Sequence, residues 1–492
     1  MTTVFLPALG ALVVLFFDAL AGQPPRGRAA PRHSALSGIR LGVIAVLSLA
    51  SVLVALSAGL GPTSSGPFTI DAFAAVGITL ILLTSFLVLL LSLTHFGMAR
   101  SRAGEPIALL LFSLSGMLAA VASTNLLALL LCLELAWLPV VALVAIDARR
   151  LSSSESSLKL LFAHALASLT LTLGIAFLFF STGRFDLALL EAGSLDRPLF
   201  FELGTALVVV GLLARCAVAP FHPWAPDLYE GAPAFVTAHM ATASQIACFF
   251  VVLRVVHAIP GAAAEGAGDV AQRLPGWLGF VACLTLVWGH AMALVQVRLR
   301  RLVGWLAVGQ AGFAALALID ARAAGGAAMV WALVAAGVAS IGLLTTISSF
   351  SHHERACEHV GDLAGMASES PARATLLAIF LLSLAGFPGT IGFTARRDVL
   401  MAALHAGSRI ELLVGVVATV LALTAVGRPL VAMLRPAEGR RAASAALTNE
   451  QVVLAFCGVV VVLLGVVPLF GEHALSGWVE SAVASGVASL RR

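Results

Sequence analysis

The sequence predicts an all-α, polytopic membrane protein. Apolar residues fill 60% of its 492 positions and charged residues only 11%. A soluble chain of this length has no interior large enough to hide that much apolar surface. The apolar residues also come in runs of about 20, the length a helix needs to cross ~30 Å of hydrocarbon. They do not form the alternating segments of about ten residues that build a membrane β-barrel. Finally, the basic residues fall on alternate loops between the runs, as expected of a chain threaded back and forth through a bilayer.

About fourteen transmembrane helices follow in order: 3–20, 40–60, 72–93, 106–122, 125–146, 158–180, 203–219, 233–257, 276–296, 302–319, 326–349, 374–403, 410–433 and 450–470. The first run has no basic residue before it and is interrupted by Asp18. It reads as a retained anchor rather than a cleaved leader. The fifth carries Glu134, the sixth Lys159 and His164, the eighth His239 and Gln245, and the ninth His290. The seventh ends at Pro220, and Pro388 interrupts the twelfth. Beyond the last span, Leu475, Trp478, Val479, Val483, Val487 and Leu490 repeat at helical spacing. Such a tail suits a helix lying on the membrane surface, or one packed on a neighbouring subunit.

Odd-numbered loops carry Arg26, Arg28, Arg32, Arg40, Arg100, Arg102, Arg149, Arg150, Lys159, Arg298, Arg300, Arg301, Arg355, Arg373, Arg435, Arg440 and Arg441. Even-numbered loops carry only Arg184, Arg197, Arg273, Arg322 and Arg409. The odd loops are therefore expected in the cytoplasm and both termini on the outer side. Lys159 is the single lysine among 29 basic residues, a skew that suggests a GC-rich bacterial genome. The six cysteines are scattered without a C-x-x-C spacing, which indicates neither a disulfide framework nor an iron–sulfur site. The longest polar stretch, 351–372, is too short to fold alone. Its cluster from His352 to His359 has metal-capable side chains but reads as a solvated loop. The glycine-rich 261–268 follows a helix and opens no βαβ unit. No flavin, nicotinamide or metal is expected in this chain.

Chemistry then has to come from charges inside the membrane. Glu134 has about ten apolar residues on either side, which puts it near the bilayer midplane at ~1.5 Å per residue. Charges at that depth are costly and are usually paired, protonatable and functional. Arg215 and Arg396 lie at comparable depth beside Pro220 and Pro388. Around Arg215, Pro220, Pro223, Pro226 and Pro233 prevent a continuous helix, and the freed backbone groups need a polar interior. Charged groups at broken helices point to an ion or proton carrier.

The segment from Arg215 through Pro220, His222, Tyr229, Glu230, Gly231 and Pro233 to Thr237 resembles the seventh and eighth spans of the subunit N family of NADH-quinone oxidoreductase, respiratory complex I. That family shares its antiporter-like architecture with Mrp cation/proton antiporters. The likeness extends over nearly the whole chain. It includes Asp71-Ala-Phe73, Glu105 with Leu109–Met117, Leu133–Pro139, Leu158–Ser168, Asp362–Met366 and Phe380–Phe393. The resemblance implies two inverted five-helix repeats with broken helices 7 and 12. It divides the chain into 1–104 (helices 1–3), 105–257 (helices 4–8), 275–434 (helices 9–13) and 449–492 (helix 14 and the amphipathic tail).

It also implies a mid-membrane proton relay. The family's glutamate falls on Glu134. Its lysines in spans seven, eight and twelve fall on Arg215, Gln245 and Arg396, and a family histidine in span ten falls on Gln310. Lys159 and His222 keep basic identities, with the cytoplasmic uptake side implied for both. These departures matter, because arginine does not readily release its proton and glutamine carries none. His239, His164 and His290 are the nearby titratable groups, although such histidines are more often satisfied polar packing residues. A hydrated cavity near Gln245, faced by His239 or His290, is expected if the path survives. Glu134 and Arg215 also read as a helix-locking pair. By resemblance, redox cofactors (NADH, FMN, iron–sulfur clusters and quinone) belong to partner subunits. The expected partners are sister antiporter-like subunits, small membrane subunits, the lipid bilayer and protons, with no nucleic acid. The expected location is the bacterial inner membrane. An Mrp-like antiporter, a hydrogenase-linked pump subunit and a divergent non-pumping scaffold stay open beside this reading.

Overall fold

In hydrocarbon every backbone polar group must find a partner within the chain, so long apolar runs become helices. The structure is a computed structural model that describes residues 2–20, 50, 62–99, 104–147, 150–187, 198–258, 268–350, 357–436, 448–467 and 474–490. Among these residues, ten helices are long and apolar enough to cross a membrane, and Val4–Phe16 and Pro371–Ala385 are shorter apolar helices. The chain is a multi-pass membrane protein. The span expected at 40–60 falls outside the described residues except for Ala50, and so does most of the His352–His359 cluster.

Helix α1 (Thr2–Leu20) packs on α3 (Gly104–Ala122), with a short hairpin, Thr63–Ser65 paired antiparallel to Phe68–Ile70, and α2 (Ala72–Ala99) between them in sequence. Helix α4 (Leu126–Val144) starts cleanly because Asn125 Oδ1 accepts hydrogen bonds from the amides of Leu127 (3.0 Å) and Ala128 (3.2 Å). Helix α5 (Leu151–Thr182) begins seven residues before the apolar run does. Its polar first turns are serines that bond to neighbouring helices: Ser153 to the Val144 carbonyl, Ser157 to that of Val141 and Ser156 to that of Asp227. Lys159 is therefore inside a helix rather than at its end.

Small residues set the distance between α5 and α6 (Pro198–Arg215). A Cβ on Gly204 would lie 2.8 Å from the Leu178 amide nitrogen, and one on Gly211 would lie 2.9 Å from that of Leu171. Glycine lets the two backbones touch, and that approach carries Arg215 up to α5.

Both expected helix breaks are present. After Arg215 the chain is irregular through 216–223, with Ala217 at a positive φ of 57°, and then forms α7 (Trp224–Gly231). Pro233 opens α8 (Ala234–His239), which runs through a π-helical turn at Met240–Ser244 into α9 (Gln245–Ala258). The second break separates α14 (Pro371–Ala385) from α15 (Ile391–His405), with Gly386 and Gly389 at φ 77° and 86°. Only glycine takes such angles without strain. The π turn was not legible as apolar spacing, because one extra residue in a turn leaves the run unbroken.

Between the breaks lie α10 (Gly268–Val295), α11 (Leu299–Ala317), α12 (Ala323–Phe350) and the short α13 (Met366–Glu369). Beyond them lie α16 (Arg409–Leu434), α17 (Thr448–Val466) and α18 (Ala474–Leu490). The 234–258 span is 94% buried and α12 83%, whereas α16 and α5 are only 28% and 33% buried. The former are interior and the latter form the outer face. In the tail, Val479, Ala482 and Val483 of α18 are buried against α2, α9 and α12 of the same chain, whereas Trp478 is 58% exposed.

Candidate functional site

The interior charges gather where helices are interrupted. Arg215, the last residue of α6, is 0% exposed, and its Nη2 donates to Glu134 Oε1 at 2.6 Å. Ser168 of α5 completes the group: Arg215 Nη2 donates to its Oγ at 2.5 Å, and that hydroxyl donates to Glu134 Oε1 at 2.5 Å. A carboxylate, a guanidinium and a hydroxyl from three helices thus form one triangle. Glu134 is the open corner, with a side chain 34% exposed, and it lies on the helix bearing outward-facing Leu131, Leu135 and Leu138.

One turn along α5 from Ser168, His164 stacks on Trp137 at 4.0 Å between ring centroids and lies 5.1 Å from the Trp224 ring. Both His164 nitrogens are buried without a hydrogen-bond partner. Trp224 in turn lines a cavity of about 30 Å³, together with Tyr229, Gln245, Gln310 and Ser340. That volume holds about two waters. Gln245 Oε1 is buried without a protein partner.

Gln310 also lines a second, smaller cavity of about 10 Å³ that ends at Arg396. Gln310 Nε2 and Arg396 Nη2 both donate to the Leu384 carbonyl, at 2.6 and 2.5 Å. Leu384 belongs to the last turn of α14, so its carbonyl is one of those the break releases. The first break is satisfied in the same way: Thr285 Oγ1 accepts from the Ala219 amide at 3.0 Å, and Trp224 Nε1 donates to the Ala214 carbonyl at 3.3 Å. Arg396 also lies over the Phe313 ring, 4.4 Å from its centroid. An interrupted lane of polar groups therefore runs from Glu134, Ser168 and Arg215 to Gln245, Gln310 and Arg396, broken between them by the packing of His164 on Trp137 and Trp224.

The structure places the remaining expected residues elsewhere. His239 is buried, with Nε2 3.0 Å from Ser113 Oγ, and His290 Nδ1 bonds the Leu286 carbonyl at 2.8 Å. Neither lines the Gln245 cavity: His239 is drawn to Ser113 on α3 and His290 to a carbonyl of its own helix, so the expectation that one of them faces it is corrected. His222 is buried beside Trp288 and Trp305, with ring centroids 5.8 and 5.5 Å away. Lys159 is outside the lane. Its Nζ bridges Glu155 at 2.6 Å and Asp227 at 2.8 Å, and Arg301 joins Asp227 and Glu230 at 3.1 and 3.2 Å. Arg298 pairs with Glu230. This network ties the start of α5 to α7 and the start of α11.

Sequence reasoning missed Ser168 and the position of His164. The available signal was their spacing of four, which stacks them on one helix face. It also missed a second interior pair, Arg254 and Asp71, 2% and 4% exposed and 3.0 Å apart. Asp71 additionally accepts from the Ala74 amide at 2.7 Å, so it caps α2. Among the described residues, no three His, Cys, Asp or Glu side chains are grouped to hold a metal ion.

Residues 123–422 match the family described as "NADH:quinone oxidoreductase/Mrp antiporter, TM". The chain is 34% identical over 417 residues to NADH-quinone oxidoreductase subunit N of Deinococcus radiodurans, covering 82% of this chain and 80% of that one. It is 31% identical over 469 residues to subunit N of Methylobacterium nodulans, covering 94% and 92%. Among solved structures, it resembles a chain of respiratory complex I from Thermus thermophilus with bound aureothin. The TM-score is 0.77 and the identity 26%, over 95% of this chain and 97% of that one. A chain of the Mrp complex from Dietzia sp. DQ12-45-1b shares the fold with a TM-score of 0.83 at 19% identity, over 100% and 99% of the two chains.

Proposed function

We propose a proton-moving role for this chain, which belongs to the family of NADH-quinone oxidoreductase subunit N. In this reading it is a membrane-arm subunit of a proton-translocating NADH-quinone oxidoreductase. Redox chemistry with NADH, FMN, iron–sulfur clusters and quinone takes place in partner subunits. The observation that carries the reading is the Arg215–Ser168–Glu134 triangle at the mouth of an interrupted polar lane that reaches Arg396.

The chemistry divides between groups that titrate and groups that do not. Glu134 is the switchable acid: ionised, it pairs with Arg215, and protonated, it releases that guanidinium. Arg215 and Arg396 stay charged and act by attraction and repulsion. Gln245 and Gln310 orient water with their amide groups. His164, between the triangle and the cavity, is the titratable group placed to pass a proton along, a role the sequence had shared with His239 and His290. The exposed side of Glu134 faces outward along Leu131, Leu135 and Leu138, where a sister antiporter-like or small membrane subunit would seat. His222 and Lys159 flank the cytoplasmic side of this scheme, with both termini outside and the inner membrane of a bacterium as its setting. The inverted repeats at 105–257 and 275–434 would place one break in each half.

Proton pumping by the complex reconstituted in vesicles tests the reading. Glu134→Gln keeps the shape and removes the titration, so pumping should fall while the complex stays assembled. Undiminished pumping would favour the second reading, a scaffold in which Arg215 and Glu134 merely lock three helices. That reading draws on the non-titrating Arg215, Gln245 and Arg396.

A further inference from the structure

A groove of about 510 Å³ opens where the last turns of α16 meet the turn after α10 and the loop at Val360. Its walls are apolar, built by Val297, Val360, Val431 and Ala432, and Arg428 and Arg435 line it. Among the described residues no acidic side chain lines it. Arg428 is preset: its Nη1 donates to the carbonyls of Leu294 at 2.6 Å and Gln296 at 3.1 Å, at the end of α10. A Cβ added to Gly361 or Gly427 would meet no atom within 4 Å, so the floor is open. The groove is open to the surface along its apolar side: its wall residues Val297 and Val431 are 56% and 53% exposed, and Leu434 beside it is 76% exposed.

We propose that this groove binds an anionic phospholipid, with its phosphate between Arg428 and Arg435 and the start of its acyl chains along the valines. The site lies at the ends of two apolar spans, the depth at which a lipid headgroup sits. Basic pockets there attract anionic headgroups. Its volume is in the range of small-molecule sites, about 300–1,000 Å³. A free phosphate would use the two arginines but gain nothing from the apolar walls. A helix of another protein would need acidic groups of its own to meet both arginines.

The test uses the assembled complex in phosphatidylcholine nanodiscs doped with either photoactivatable phosphatidylglycerol or photoactivatable phosphatidylcholine. The phosphatidylglycerol probe should label peptides spanning 424–435 several-fold more than the phosphatidylcholine probe. Unlabelled phosphatidylglycerol should compete and inorganic phosphate should not. Arg435→Gln, which leaves the Arg428 bonds to α10 untouched, should lower labelling about fivefold, the worth of one arginine at a charged surface. Arg435→Lys should restore most of it. Equal labelling by the two probes, or labelling indifferent to Arg435→Gln, would overturn the proposal. So would competition by phosphate alone, or a cross-link from this segment to another protein in place of lipid.

Discussion

Glu134 was the most legible residue, because a carboxylate amid leucines has few bland explanations. Its partner Arg215 was legible from the prolines that follow it. The third corner, Ser168, was not, since a serine in an apolar helix ordinarily bonds back to its own turn, as Ser168 also does to His164. Two predictions belong at this scale. Ser168→Ala should leave Arg215 paired with Glu134 but loosen the acid, shifting the pH profile of pumping while Ser168→Thr restores it. His164→Phe keeps the stack on Trp137 and removes the titratable ring, so proton transfer should slow about a hundredfold or more, within the range a positioned proton carrier contributes. His239→Phe, outside the lane, should slow it far less. Stopped-flow measurement with a pH-sensitive dye in vesicles compares the two, and equal effects would remove His164 from the path.

At the scale of elements, the apolar runs predicted most helices, and the prolines predicted both breaks. What failed was finer. The start of α5 was hidden in serines, because their partners lie on α4 and α7 and are distant in sequence. The π turn before Gln245 leaves no mark in hydropathy. The α5–α6 contact gives the prediction for this scale. Gly204→Leu has no room against Leu178 and should force the helices apart. Overpacking of this kind costs about 1–3 kcal/mol. Thermal unfolding of the purified complex should shift downward, and pumping should fall because Arg215 no longer meets Ser168. Gly276→Leu, where a Cβ meets nothing within 4 Å, is the matched control.

For the whole molecule, the charge on alternate loops predicts topology. A cysteine introduced as Arg492→Cys should be labelled only from outside, and one introduced as Arg440→Cys only from inside. Labelling of the C-terminus from the cytoplasm would reverse the orientation. The buried pair of Asp71 and Arg254 joins α2 to α9 and should be needed for stability rather than transport. Arg254→Met takes from the buried Asp71 carboxylate its guanidinium partner, at a cost of about 3–5 kcal/mol. The variant complex should denature earlier in detergent, and any that assembles should pump normally.

The sequence by itself determined that this chain crosses a membrane many times, that its basic residues gather on alternate loops, where two helices break, and that Glu134, Arg215 and Arg396 are interior charges beside those breaks. Each is a local property: hydropathy, loop charge and the missing amide of proline all act through neighbours in the chain. Tertiary structure alone decided which groups stand beside those charges. Ser168, His164, Gln310 and the Leu384 carbonyl come from helices distant in sequence, and the tail turns inward onto α12. Such meetings depend on which glycine lets two backbones touch and which carbonyl a break sets free. These are pairwise facts of packing that no single stretch of sequence contains.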